Sequence, residues 1–130
     1  MREILFRGKS LDNGEWVEGD LRRGGYFNND SETYIMKSDY ALHNIPVDPE
    51  TVGQFTGLTD KNGVKIFEGD IVKSYHFSEA YGEGVVRWER DLTGFYYDDY
   101  KSMSPIETYE VIGNIFDNPE LLKGETDVHM

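Results

Sequence analysis

The sequence contains no cysteine, which excludes a disulfide framework and any metal site built on thiolates. It also lacks long apolar runs. The stretch near its start, Ile4 to Phe6, is three residues long before charge returns. That is too short for a signal peptide or a membrane span, and no longer run follows. We therefore expect a protein without membrane association that works in a reducing cytoplasm.

Histidine is scarce as well. His43, His76 and His129 are far apart in the chain, so their spacing predicts no zinc site. The segment Gly8-Lys9-Ser10 resembles the end of a phosphate-binding loop, but Glu3 stands where that loop needs its first glycine. No cysteine nucleophile and no Gly-x-Ser-x-Gly elbow are present. The sequence predicts no cofactor and favours a protein that is not an enzyme.

Basic residues are outnumbered, with 13 Lys or Arg against 25 Asp or Glu and a net charge of −12. The imbalance is concentrated late in the chain: residues 1–25 carry five basic and five acidic side chains, whereas 91–130 carry two Lys against nine acids. Such a field repels phosphate backbones, so nucleic-acid binding over the whole surface is disfavoured. A basic partner surface would be attracted instead.

Aromatic and β-branched residues dominate what is present. Period-two alternation at 4–7 and 15–21 indicates half-buried strands, and β-rich stretches recur downstream. These further stretches are 33–36, 71–77, 85–89, 95–97 and 109–116. Two Asn-Gly turns, at 12–14 and 60–63, predict tight hairpins. The chain is therefore predicted to be mainly β.

Two prolines in 45–49 argue against an interior strand there, because each lacks the N–H that a ladder requires. We expect this segment to be a crossover between small β subdomains at 1–45 and 50–124. A short helix is predicted after Asn118, with that residue as its N-cap, Pro119 at its first position and Gly124 at its end. Residues 125–130 have no periodicity, and we expect a disordered tail.

Two segments share a Glu-Gly-Asp corner between apolar stretches, at 18–20 and 68–70. Glycine would supply the bend, and the flanking acids would stay hydrated and accept backbone N–H groups. Such corners often open small SH3-like barrels, and we expect one around residues 64–117. The similarity reflects either an internal duplication or convergent turn chemistry.

The run from Thr51 to Val72, TVGQFTGLTDKNGVKIFEGDIV, resembles the central signature of the YopX family of phage and prophage proteins. Residues 6–19 resemble the family's N-terminal pattern, and residues 110–122 its closing segment. The resemblance implies a single YopX-like domain over 1–124, a phage or prophage origin and a homo-oligomer. It supplies no catalytic residues, because the family has no established biochemical activity.

Three acidic residues near the second hairpin, Asp60, Glu68 and Asp70, could approach one another. Clustered carboxylates can bind a divalent metal or perform acid–base chemistry. Capping of turns and ordinary solvation is the structural alternative, and it is the interpretation we favour.

One basic group stands out: Arg7, Lys9, Arg22 and Arg23, near Phe6, Trp16, Tyr26 and Phe27. Barrels use such mixtures to stack single-stranded nucleic acid, although five acids are interleaved here. A second aromatic group, the strip 95–100, suits either an interface with a polar rim or ordinary core packing, and we favour core packing.

The leading hypothesis is a phage accessory protein, located in the cytoplasm of a bacterial host, that self-assembles and binds a host or phage protein. The alternatives are a nucleic-acid-binding barrel that uses Arg7, Lys9, Arg22 and Arg23, and a metal-dependent enzyme. The enzyme would use Asp60, Glu68 and Asp70.

Overall fold

The computed structural model describes residues 4–23, 32–37, 44–90, 93–97, 101–104 and 107–122. The chain forms two compact units, residues 1–57 and residues 58–130. Both are built from antiparallel strands, and the prediction of a mainly β protein is confirmed.

Five strands form the sheet of the first unit, in the order β4-β3-β2-β1-β5. Their bounds are β1 Phe6–Lys9, β2 Trp16–Arg23, β3 Thr33–Met36, β4 Asn44–Pro46 and β5 Gly53–Thr59, the last of which continues into the second unit. Pro46 lies in β4 at the sheet edge, where a missing N–H removes no ladder bond. A 3₁₀ turn, Pro49–Thr51, follows, and the Asp48 carboxylate caps it by accepting the Glu50 N–H at 3.0 Å.

The second unit contains two three-stranded sheets, β12-β7-β8 and β11-β10-β9. The strands are β6 Lys65–Phe67, β7 Asp70–His76, β8 Glu79–Val85, β9 Arg87–Glu89, β10 Gly94–Tyr97, β11 Lys101–Ser102 and β12 Thr108–Asn114. Strand β6 is the neighbour of β5. In the described part of this unit the sheets do not close into a barrel, so the predicted SH3-like barrel is not confirmed.

The predicted short helix near the C-terminus is confirmed as a helical turn at 120–122. Its start differs in detail from the prediction. The Asn118 side chain accepts the Asn114 N–H at 3.2 Å, toward β12, and the backbone carbonyl of Asn118 accepts the Leu121 N–H at 3.1 Å. Asn118 thus closes the turn before the helix. The predicted tail at 125–130 lies outside the described residues.

Both predicted hairpin turns are confirmed. In the first, which joins β1 to β2, the Gly14 N–H donates to the Ser10 carbonyl at 2.8 Å, and Gly14 has a φ of 74°. In the second, which joins β5 to β6, the Asp60 N–H donates to the Val64 carbonyl at 2.7 Å. Gly63 has a φ of 82°, and both glycines therefore occupy the left-handed region that side chains disfavour.

Alternation along the strands gives each unit its own core. Ile35, Val47 and Phe55 are buried in the first unit. In the second unit a cluster of buried residues unites strands of both sheets: Ile66, Val72, Val86, Phe95, Tyr97 and Tyr109. Burying each such side chain contributes roughly 1.5–3 kcal/mol, which makes these contacts the main source of stability.

The two Glu-Gly-Asp segments have different structures. Gly69 has a φ of 95° at the bend between β6 and β7, as predicted for a corner. Gly19 instead lies inside the continuous strand β2, opposite Phe6 of β1. A Cβ at Gly19 would come 2.1 Å from the backbone oxygen of Met36, so a close approach between strands explains this glycine. The same three residues therefore meet two different constraints.

We predict that Gly19→Ala destabilises the protein by about 3 kcal/mol, because the new methyl group meets backbone that cannot rotate away. The matched control is Gly14→Ala in the same unit, where no atom lies within 4 Å and only the positive φ is strained. It should cost about 1 kcal/mol. Urea denaturation followed by circular dichroism measures both. Equal losses in the two variants would contradict the close-approach argument.

Candidate functional site

Asp60, one of the predicted acidic residues, accepts three hydrogen bonds from backbone N–H groups. Its Oδ1 accepts the N–H groups of Asn62 at 2.8 Å and Val64 at 2.9 Å. Its Oδ2 accepts the N–H of Val111 in β12 at 3.0 Å. The side chain is only 7% exposed. One carboxylate thus fixes its own hairpin and joins it to a strand about fifty residues later in the chain.

Two opposing effects act on the pKa of the Asp60 carboxyl. Burial raises the pKa, but the N–H groups of Val111, Val64 and Asn62 and the charge of Lys61 together outweigh burial. The pKa is therefore lowered below its ordinary value. The group is an anion at neutral pH, stabilised by N–H donors that belong to the fold.

Asp70 is the second buried acid, at 1% exposure. Its Oδ2 accepts the Phe67 N–H at 2.8 Å across the bend that contains Gly69. Contrary to the expectation of a hydrated acid, this carboxylate is buried inside the corner that it stabilises. Glu68 is half-buried at the same bend.

Among the described residues, no group of three or more histidine or acidic side chains is arranged to hold a metal ion. Asp60 lies in the turn between β5 and β6, and Asp70 lies at the bend between β6 and β7; the carboxylate of each accepts backbone N–H groups. The geometry brings Asp60 to β12 and Asp70 to the β6–β7 bend. Both arrangements are those of turn and corner caps.

The predicted basic residues lie on the sheet of the first unit. The Arg7 guanidinium carbon is 4.4 Å from the centre of the Trp16 ring, and the Lys9 Nζ is 5.5 Å from it. Lys9 is the cross-strand partner of Trp16, and Arg7 is the partner of Glu18. Because alternate residues of a strand share a face, Arg7, Lys9 and Trp16 lie on one face of the sheet. We call these three the Trp16 cluster.

Arg22 and Arg23 are exposed at the end of β2. Arg22 is an even number of residues from Trp16 and pairs with Tyr34, so it shares the face of the Trp16 cluster. Arg23 pairs with the buried Thr33 and belongs to the opposite face. The structure therefore brings Arg7, Lys9 and Arg22 to one face and separates Arg23 from them.

A buried polar network, which the sequence did not reveal, crosses the core of the second unit. The hydroxyls of Tyr97 and Tyr109 both donate to Glu107 Oε2, at 2.7 and 2.9 Å. The Tyr97 hydroxyl is also 2.8 Å from Ser74 Oγ, and the Tyr109 hydroxyl accepts the Ser104 N–H at 2.8 Å. We call this set the Glu107 network.

Two of its members were predicted only as strand aromatics. Burial raises the pKa of both Tyr97 and Tyr109, and the Glu107 carboxylate raises it further, so both phenols stay protonated donors. Their rings pack edge to face with centres 5.5 Å apart. No short motif in the sequence links these residues, because they come from β7, β10, β12 and the segment between β11 and β12.

The aromatic strip predicted at 95–100 is core where it is described. Phe95 and Tyr97 are buried, and Tyr96 between them is half-buried, as alternation requires. The Phe95 ring also packs against the Trp88 ring in an edge-to-face contact, with ring centres 5.0 Å apart. Residues 98–100 lie outside the described part of the chain, as do Tyr26, Phe27, His43 and His129.

The hairpin between β7 and β8 carries an exposed aromatic group. Phe77 is 89% exposed and Tyr81 is 49% exposed. The His76 ring lies between them, 4.6 Å from the Phe77 ring centre and 5.7 Å from that of Tyr81. The Lys101 Nζ is 4.6 Å from the Tyr81 ring centre and donates to the Tyr81 carbonyl at 3.2 Å. We call His76, Phe77 and Tyr81 the hairpin-tip cluster.

Sequence patterns did not predict this hairpin. The turn residues are Phe77 and Ser78, which contain neither the glycine nor the asparagine of an ordinary two-residue turn. The run 71–77 therefore appeared to be one strand, whereas β7 ends at His76. The only nearby sign that the strand ends is the change from aromatic residues to the acidic Glu79.

None of the helices in the described residues has the length and apolar composition that a membrane crossing requires.

We predict that Asp60→Asn changes the acid stability of the protein. The pKa of the Asp60 carboxyl is lower in the folded than in the unfolded chain, so its contribution is complete above the unfolded value near 3.8 and is lost as pH falls through the folded value. Asp60→Asn should lower stability at pH 7 by about 1–3 kcal/mol, because buried N–H groups lose an anionic acceptor. The difference from wild type should shrink below about pH 4.

Urea denaturation across pH 2 to 7 measures this effect. Asp12→Asn is the matched control, because Asp12 is an exposed acid in the other Asn-Gly hairpin. A loss at pH 7 that persists unchanged at low pH would contradict the role of the charge.

Comparison with known proteins places these features in a family. The family model described as YopX protein matches residues 5–123. The crystal structure of protein EF1440 from Enterococcus faecalis is similar, with a TM-score of 0.55 and 25% sequence identity, over 94% of this chain and 99% of that chain. No curated protein matches. Because the family model spans nearly the whole described fold, the chain belongs to the YopX family.

Proposed function

We propose that the protein is a non-enzymatic accessory protein of a phage or prophage that self-assembles and binds another protein in the cytoplasm of a bacterial host. The observation that carries this proposal is the hairpin-tip cluster, in which exposed Phe77 and Tyr81 flank His76. Aromatic side chains grouped at the surface are typical of protein interfaces, whereas isolated exposed apolar residues are common. The resemblance to phage and prophage proteins supports the biological setting, with residues 1–124 as one domain.

The charge of the chain supports a protein partner over nucleic acid or a membrane surface. A net charge of −12 repels phosphate groups and attracts a basic protein surface. Trp88 adds a further aromatic surface in the same unit at 41% exposure.

The chemistry of the buried groups supports a role other than catalysis. A carboxylate that acts as a catalytic acid or base must reach a substrate, but the carboxylates of Asp60 and Asp70 accept backbone N–H groups of the fold. The phenols of Tyr97 and Tyr109 are directed to Glu107 inside the core. The metal-dependent enzyme is therefore the least supported of the three hypotheses.

We predict that the purified protein forms a defined oligomer and that Trp88→Ser shifts it to smaller species, because Trp88 is an exposed ring away from the hairpin tip. Removing one of its exposed rings shrinks the apolar area available for contact between copies. Size-exclusion chromatography with light scattering measures the mass of each variant. Leu11→Ser is the matched control, because Leu11 is an exposed apolar residue of the other unit, at 65% exposure. A wild-type protein that runs as a monomer at every concentration would contradict self-assembly.

A second candidate function is the binding of single-stranded nucleic acid by the first unit. The supporting observation is the Trp16 cluster, in which two cations lie within 6 Å of one indole ring on a sheet face. Aromatic rings and cations on a sheet face are the elements that such proteins use to stack bases and pair with phosphates. The net charge of this face is close to zero, because the acids Glu18 and Asp20 lie on it together with Arg22 and the two cations of the Trp16 cluster.

We predict for this candidate that Arg22→Glu weakens oligonucleotide binding and that Arg23→Glu does not, because only Arg22 shares the face of Trp16. Fluorescence anisotropy with a single-stranded oligothymidylate, measured over a salt series, tests both variants. Loss of one phosphate contact should reduce the slope of log K against log salt by about 1. Equal effects of the two substitutions, or no wild-type binding at low salt, would contradict this candidate.

A further inference from the structure

The turn at the tip of the β7–β8 hairpin combines backbone strain with exposure. Phe77 has a φ of 50° and Ser78 a φ of 69°, so both residues occupy the left-handed region. Two such residues in succession, between the paired His76 and Glu79, form a type I′ turn. Type I′ turns strongly favour Asn-Gly, because those residues tolerate positive φ. This hairpin instead contains a bulky aromatic residue and a serine.

Two other hairpins of this chain have glycine at the turn position with positive φ. Gly14 and Gly63 occupy the left-handed positions of the β1–β2 and β5–β6 hairpins. At the β7–β8 tip, an ordinary turn residue in place of Phe77 would remove strain and would also remove the most exposed large apolar side chain of the described residues. Neither the fold nor solubility accounts for a phenylalanine at this position. Strained backbone and exposed apolar surface together are characteristic of a recognition site.

We infer that Phe77 is the anchor by which this protein binds a partner protein, and that the partner offers an apolar pocket bordered by Lys or Arg side chains. This inference rests on the proposed function and names its contact residue and the chemistry of the partner. Phe77 would fill the pocket, and the neighbouring Glu79, also exposed, would lie at its basic border. An aromatic anchor surrounded by polar contacts is the usual form of an interface hot spot.

Charge complementarity selects this partner over other surfaces that could take up a phenylalanine. A net charge of −12 repels the anionic surface of a bacterial membrane, although an exposed aromatic tip could otherwise insert there. Two copies of the same acidic chain would repel each other at this tip for the same reason. A basic protein surface gains from both the apolar contact and the charge.

The test begins with a cross-link. The photoreactive residue p-benzoylphenylalanine replaces Phe77, or in separate variants Tyr81 or Trp88, in the full chain, and each variant is irradiated in cells of the organism that encodes the protein. The same residue at Lys73 is the matched control, because Lys73 is exposed in β7 of the same hairpin but away from its tip. The product is identified by mass spectrometry, and the identified protein is purified. Wild type and the double variant Phe77→Asn/Ser78→Gly are then titrated against it.

The inference predicts that a protein cross-links from position 77 and not from 73, through a peptide rich in Lys or Arg. The double variant should lose about tenfold or more in affinity. Its unfolding midpoint should nevertheless rise, by about 3–6 °C, because Asn-Gly relieves the strained turn. Loss of binding in a more stable protein separates recognition from folding. Phe77→Ala, which keeps Ser78, should lose a similar affinity.

Other results overturn the inference. They are unchanged affinity in the double variant, a lowered unfolding midpoint, or a cross-link from position 77 to lipid, to an acidic peptide or to a second copy of the chain. If a partner cross-links only from Tyr81 or Trp88, the Phe77 inference fails and the proposed function stands. If no partner cross-links from any of these positions and the protein is a monomer, both fail.

Discussion

The carboxylate of Asp60 accepts three backbone N–H groups, and the second unit is organised around these bonds. Two of them, from Asn62 and Val64, hold the β5–β6 hairpin closed. The third comes from Val111, just before the register of β12 shifts against β7. A bulge leaves backbone groups of the strand without ladder partners, and the anion of Asp60 satisfies one of them. A local turn and a distant strand thereby become one cooperative structure.

In the Glu107 network, too, one carboxylate joins separate parts of the second unit by accepting more than one hydrogen bond. Its two phenols and the Ser74 hydroxyl are buried, and a buried hydroxyl without a hydrogen-bond partner costs folding free energy. Each of them must therefore be hydrogen-bonded. One Glu107 oxygen satisfies both Tyr97 and Tyr109. The network specifies how β10, β12 and the segment before β12 meet, because an altered pairing would leave a buried hydroxyl unsatisfied.

Sequence patterns predicted the parts of this structure that depend on neighbours in the chain. Alternation and Asn-Gly turns predicted the strands and both hairpins, because side-chain direction and positive φ are local properties. The role of Gly19 was missed, since the constraint comes from the Met36 carbonyl on another strand. The Glu107 network and the Asp60–Val111 bond were missed for the same reason. The β7–β8 turn was missed because Phe77 and Ser78 contradict the usual turn chemistry.

That contradiction distinguishes the two kinds of unusual residue in this fold. Gly19, Asp60 and Asp70 are unusual for their setting, and each is explained by an atom of the chain that it must avoid or bind. Phe77 is equally unusual, yet its ring packs edge to face against the neighbouring His76 ring and remains 89% exposed. Backbone strain that the fold itself does not require is expected where a residue serves a contact with another molecule. Phe77 contradicts the usual turn chemistry, and the fold does not explain why. It is therefore the position where we expect recognition by another molecule.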